Sequence, residues 1–154
     1  MNDGAPSRVG VRRATPADLP RLLELVAEFC EHEGCPRPEA HTRGALEPLL
    51  ADERLGHVLV PILEGDDDPA GYAILTWGWG LESGGREGLL DELYVRHRGR
   101  GTGAVLLDAV VADARAAGCR TLFLETEAPN ERQRGFYRRH GFEPQDSVWM
   151  SIGL

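Results

Sequence analysis

Leu90-Asp91-Glu92-Leu93-Tyr94-Val95-Arg96-His97-Arg98-Gly99-Arg100-Gly101-Thr102-Gly103-Ala104 is the stretch that decides how this chain folds. Leu89 to Arg96 reads as a strand. Gly101 to Ala117 reads as a helix, with Val105, Leu106, Ala109, Val110 and Ala114 on one face. The glycines between them let backbone N–H groups approach an anion. The helix N-terminus adds the positive end of its dipole, and Arg98 and Arg100 add formal charge. This is phosphate-binding chemistry in a strand–loop–helix setting. A Walker loop is excluded, because the chain contains no Lys. Gly99, Gly101 and Ala104 also satisfy the dinucleotide fingerprint G-x-G-x-x-G/A, and Glu125 closes the next strand where an acid would hold a ribose. Against that reading, the polar Arg96-His97-Arg98 separates the strand from the glycine turn. A dinucleotide-binding oxidoreductase stands as the alternative.

Outward from this centre, the elements alternate. Val9 to Arg13 reads as a strand. Thr15-Pro16-Ala17-Asp18 then carries a capping Thr, a Pro at the first helical position and an acid three residues after the cap. The helix it starts runs to about Glu31, and Gly34-Cys35-Pro36 breaks the chain. A second helix spans Glu39 to Ala51. His57 to Leu63 and Ala70 to Trp77 read as a hairpin around the turn Glu64 to Pro69. Gly78 to Gly88 reads as a Gly-rich loop, Thr121 to Thr126 as a strand and Asn130 to His140 as a helix closed by Gly141. The tail, Phe142 to Leu154, reads as one or two strands, with Val148, Met150 and Ile152 alternating. This order predicts a layered α/β domain with a mixed sheet, a single domain over residues 1–154.

Composition narrows the function classes. With 42% hydrophobic residues the chain is not disordered as a whole. No apolar run approaches the roughly 20 residues that cross a bilayer. The polar Met1 to Gly10 shows no secretory signal, so a cytoplasmic location is expected. All 17 basic residues are Arg, and against 25 acids the net charge is −8. Residues 96–139 reverse that sign, with nine Arg against five acids. An acidic chain with one Arg-rich stretch suits a polyanionic small molecule, not a nucleic acid or a membrane. Cys30, Cys35 and Cys119, an odd count, read as free thiols. Cys30, His32, Cys35 and His41 fit no standard zinc spacing, and no metal is expected.

The motifs together resemble the GNAT superfamily of acetyl-CoA-dependent N-acetyltransferases. Arg98-x-x-Gly101-x-Gly103 resembles its pyrophosphate loop, and Leu90 to Val95 its fourth strand. Asn130, Tyr137, Gly141 and Phe142 match its N-x6-Y-x3-G-F pattern, and Val11 to Leu19 is a typical opening. The link from Val95 to Arg98 is about two residues shorter than is common in that family. The resemblance implies a mixed, mostly antiparallel central sheet of about six or seven strands flanked by about four helices. It implies acetyl-CoA in a splay between strands four and five. Leu93, Tyr94 and Val95 would lie along the pantetheine and thioester. Amides of Arg98, Gly99, Arg100, Gly101, Thr102, Gly103 and Ala104 would hold the pyrophosphate, and Asn130 would contact the pantetheine arm. An amine would attack the thioester directly in a ternary complex, with Tyr137 as the acid for the leaving thiolate.

A base must deprotonate the incoming ammonium. Asp91 and Glu92 are the candidates, and adjacent strand residues point to opposite faces, so only one looks into the cleft. Asp91 shares the parity of Leu93 and Val95. For the acceptor, Glu31, Trp77, Trp79 and Glu82 are candidates: acids and aromatic faces attract a cationic amine. A small amine, or a peptide or protein amine, is the expected acceptor. A non-catalytic acyl-CoA sensor is a second alternative. The end strand Ser147 to Gly153 would be available for pairing in a homodimer.

Overall fold

The computed structural model describes residues 8–154; residues 1–7, part of the segment read above for a secretory signal, lie outside them. Five strands form one sheet in the order β1 (Val9–Arg13), β2 (Gly56–Leu63), β3 (Gly71–Gly80), β4 (Gly85–Val95) and β5 (Thr121–Leu124). The first four are antiparallel neighbours, and β5 runs parallel to β4. The helices are α1 (Leu19–Glu33), α2 (Glu39–Ala51), α3 (Thr102–Ala116) and α4 (Glu131–Arg139). None of the described helices is long and apolar enough to cross a membrane.

Strand alternation sorts the core into two layers, because successive side chains leave opposite faces of the sheet. Val58, Val60, Tyr72, Ile74 and Tyr94 pack with Leu22, Leu25 and Val26 of α1 and Leu46 of α2. Leu59, Ala73, Leu75 and Leu90 pack on the other face with Leu106, Leu107 and Val110 of α3 and Tyr137 of α4. Across the second layer, the buried His57 ring places Nδ1 2.5 Å from Asp113 of α3, and Arg13 reaches the other oxygen of that carboxylate at 3.0 Å. Nothing in the local sequence around His57 announces this pairing.

The start of α1 obeys its local signal. A 3-10 turn at Pro16–Asp18 leads into the helix, and the Asp18 carboxylate accepts the Thr15 amide and both terminal nitrogens of Arg12, each at 2.8 Å. Hydrogen bonding from Arg12 holds the Asp18 carboxyl below the usual carboxylate range. A folded pKa below the unfolded value of about 3.9 makes this contribution complete above that pH, and it is lost as pH falls through the folded value. Asp18→Asn is therefore expected to cost about 1 kcal/mol at pH 7, shrinking toward zero in acid. Urea unfolding of both proteins at pH 7 and pH 3 measures it.

Two sequence expectations are corrected. The Gly-rich segment Gly78 to Gly88 is not a loop: β3 runs to Gly80 and β4 starts at Gly85, with Gly78 opposite Glu87 and Gly80 opposite Gly85. Glycine disfavours strand locally, but pairing along a neighbouring strand overrides that preference. The tail Phe142 to Leu154 forms no strand, and among the described residues the sheet has five strands rather than six or seven. Val148, Met150 and Ile152 alternate but are exposed, and a strand exists only where an edge takes its backbone hydrogen bonds.

A candidate active site where two parallel strands part

Strands β4 and β5 pair from Glu87–Thr121 to Leu90–Leu124 and then separate. Beyond Leu90, β4 continues to Val95 beside β3 while β5 has ended. The β4 backbone from 91 to 95 therefore has no strand partner on its β5 side among the described residues. Three elements converge at its end. A Cβ on Gly103, in the first turn of α3, would stand 3.8 Å from both Val95 of β4 and Phe136 of α4.

The loop between β4 and α3 turns on two left-handed glycines, Gly99 (φ 81°) and Gly101 (φ 78°). No atom crowds either position within 4 Å, so the requirement there is conformational. Gly101 caps α3 without a side-chain hydrogen bond, and Val105 N–H closes the first turn on the Gly101 carbonyl at 3.1 Å. The amides of Thr102, Gly103 and Ala104 are thus the unsatisfied donors at the positive end of a 15-residue helix. Arg98 and Arg100 stand exposed beside them, as the sequence places them. The shortened link is drawn toward α1: Arg96 pairs with Glu28, and Arg98 lies 4.0 Å from Glu33.

At the parting point β4 carries a bulge. Ile74 faces Glu92 and Leu75 faces Leu90, so Asp91 is the extra residue. Leu90 and Leu93 pack on the α3 side, whereas Tyr94 joins the α1 layer. Glu92 faces the α1 layer as well. One of its carboxylate oxygens accepts the Tyr72 hydroxyl at 2.8 Å, and the other is ion-paired with Arg37 from the link between α1 and α2. Arg37 in turn lies 5.8 Å from the Phe29 ring centroid. Burial, with Glu92 beside it, pushes the Tyr72 phenol far up. Asp91 is exposed and has no hydrogen-bond or ion-pair partner among the described residues.

Tyr137 is 7% exposed and packs edge-on against Phe136 and Phe142, at 5.3 Å and 5.7 Å between ring centroids. Burial pushes its phenol above the ordinary tyrosine value. Asn130 caps α4: its side chain accepts the Gln133 amide at 3.1 Å and donates to the Gln133 side chain at 3.2 Å. An open groove of about 940 Å³ runs along β5, α4 and the tail, and Tyr137 lines it together with Leu124 and Glu125.

The remaining candidates lie elsewhere. Trp77 is packed against His57 and donates Nε1–H to the Glu53 carbonyl at 3.0 Å. Trp79, 77% exposed, pairs across from Arg86, and Glu82 sits in the turn of the hairpin. The five steps along the strand from Arg86 to Asp91 span about 17 Å, so these side chains belong to the far end of the hairpin. Glu31 is exposed on the last turns of α1. Among the described residues, no three His, Cys, Asp or Glu side chains converge on a metal-sized site. The Arg37–Glu92–Tyr72 contact was not legible in the sequence, since its partners lie 55 and 20 positions apart.

Comparison with known proteins gives a consistent result. The model of the acetyltransferase (GNAT) family matches residues 26–142. An L-methionine sulfoximine/L-methionine sulfone acetyltransferase of Pseudomonas paraeruginosa is 30% identical over 145 residues, covering 92% of this chain and 70% of that protein. Its namesake in Pseudomonas aeruginosa is 30% identical over 138 residues, covering 86% and 79%. The crystal structure of an integron cassette protein from the mobile metagenome of Cole Harbour Salt Marsh superposes with a TM-score of 0.82 at 32% identity, covering 94% of this chain and 90% of the other.

Proposed function

The chain belongs to the GNAT family of acetyltransferases, and from that premise we propose that it moves an acetyl group from acetyl-CoA to the primary amine of a small acceptor by direct attack in a ternary complex. The observation that carries the reading is the parting of β4 and β5 at Leu90–Leu124, with the uncapped end of α3 beside it. A polyamide arm such as pantetheine needs backbone donors and acceptors along an extended edge, and β4 from 91 to 95 offers them. A pyrophosphate needs converging N–H groups and positive charge, and the first turn of α3 with Arg98 and Arg100 offers both. The residues present therefore fit the acyl donor. Leu93, Tyr94 and Val95 hold the arm through their backbone. The segment from Arg98 to Ala104 holds the phosphates. Asn130, as the α4 cap, fixes the wall against which the arm lies.

Two side chains handle the protons. Only the neutral amine attacks, so a carboxylate must take a proton from the ammonium. Glu92 already accepts two hydrogen bonds, one on each oxygen, so neither oxygen is open to an incoming ammonium. Asp91, exposed in the bulge, is the base, directly or through one water. Tyr137, protonated because its burial disfavours the phenolate, gives its proton to the leaving thiolate. The relatives named for methionine sulfoximine and methionine sulfone favour an amino-acid-like acceptor over a protein amine.

Thermal unfolding with acetyl-CoA, CoA and NADH in parallel tests the donor. A ligand at 100 times its dissociation constant adds about 2.7 kcal/mol. For a chain of 154 residues this raises the midpoint by roughly 5–10 °C. Acetyl-CoA is expected to give that shift and NADH none. A shift with NADH alone would overturn the assignment. Binding of acetyl-CoA without turnover over a panel of amino acids and small amines would leave a binding protein in place of an enzyme.

A further inference from the structure

The C-terminus of α1 closes on Gly34 in the left-handed region (φ 65°, ψ 27°), with the Gly34 amide turned back to the Cys30 carbonyl. The Cys35 amide donates to the same carbonyl at 3.1 Å. A hydrogen bond from the second residue past the helix end back to its last full turn is the Schellman arrangement, which brings the side chains at its two ends together. Those positions commonly hold an apolar pair; here both are Cys. Cys30 is 6% exposed, on the buried face of α1, and Cys35 is exposed at the surface. Burial pushes the Cys30 thiol up and Arg37, which lines the same small cavity, draws it down. One thiol is thus open to solvent, the second is sheltered behind it, and a fixed cation stands beside the sheltered one.

We propose that Cys30 and Cys35 are the site of a reversible disulfide that staples the end of α1 to the link carrying Arg37. With hydrogen peroxide as oxidant, the exposed Cys35 thiolate attacks one peroxide oxygen. The O–O bond breaks, and the displaced hydroxide takes up the proton that Cys35 released, leaving as water. The sulfenic acid on Cys35 is then attacked by the Cys30 thiolate. The S–S bond forms, the S–O bond breaks, and the second hydroxide leaves as water with the Cys30 proton. Two thiols are oxidised by two electrons and one peroxide is reduced to two waters. Because one sulfur stays at the surface, thiol reductants reach the bond and reverse it. Arg37, two residues past Cys35, is the ion-pair partner of Glu92, so the staple anchors the side chain that neutralises that carboxylate. The disulfide itself does not depend on the acyl-transfer reading.

The test compares the wild type with Cys35→Ser and Cys119→Ser. Each is treated with hydrogen peroxide, denatured in a thiol-alkylating reagent and weighed without reductant. The wild type and Cys119→Ser are expected to fail to alkylate Cys30 and Cys35, to weigh about 2 Da less than the same chain with those two thiols free, and, after cleavage at Glu31 or Glu33, to give two peptides joined through residues 30 and 35 that dithiothreitol separates. Cys35→Ser is expected to keep Cys30 alkylatable. Oxygen added at Cys35 with Cys30 still alkylated would overturn the proposal. So would covalent dimers as the sole product, or both thiols remaining alkylatable.

Discussion

Replacing Tyr137 by Phe is expected to lower kcat by about 10²–10⁴-fold while leaving the KM for acetyl-CoA nearly unchanged. The expectation rests on what the substitution removes. The ring packs edge-on between Phe136 and Phe142, and Phe keeps those contacts. Only the hydroxyl is lost, and with it a proton donor that burial holds in its neutral form. Because the phenol titrates above the ordinary tyrosine value, its loss by ionisation belongs to strongly alkaline solution. The wild type should therefore show no basic limb from this group below about pH 10. Steady-state kinetics, with urea unfolding as a check on the fold, decides the matter. A variant with wild-type turnover removes the acid role and leaves Tyr137 as packing.

Asp91→Asn and Glu92→Gln are expected to fail in different ways. Without the Asp91 carboxylate the acceptor must arrive already neutral. Turnover at pH 7 should fall by about 10²-fold or more, and should recover as pH rises toward the pKa of the acceptor amine. Glu92→Gln strips Arg37 of its counter-charge while keeping a group that can meet Tyr72. It should raise the KM for the acceptor and cost about 1 kcal/mol of stability, with the pH profile of kcat retained. Full pH–rate profiles of the two variants separate these outcomes. If Glu92→Gln shows the pH-rescuable loss and Asp91→Asn does not, the base is Glu92, and Arg37 must move away from it during turnover.

Much of this site could be read from neighbours in the chain. The loop from Arg98 to Gly103 carries its signal within six residues: glycines where the backbone turns left-handed, a helix start with no capping side chain, and arginines on either side. The two carboxylates of β4 were also visible, but not which of them is free. That depends on Arg37, 55 positions from Glu92, and on a bulge created by the register with β3. Alternation alone assumes an unbroken pleat, and one extra residue changes which side chains share a face.

By itself, the sequence determined the features whose free energy is local. These are the turn into α1 at Thr15 to Asp18, the stop at Gly34, and the left-handed turns at Gly99 and Gly101. Each depends on dihedral preferences and hydrogen bonds spanning a handful of residues. Tertiary structure alone decided that the glycines of residues 78–88 extend a hairpin, that the alternating tail forms no strand, and that Asp91 stands free while Glu92 is held. A strand, a register or a buried ion pair draws its stabilisation from a partner whose distance along the chain is arbitrary. Only the folded sheet, which brings Arg37, Tyr72 and Glu92 within hydrogen-bonding distance, supplies that partner.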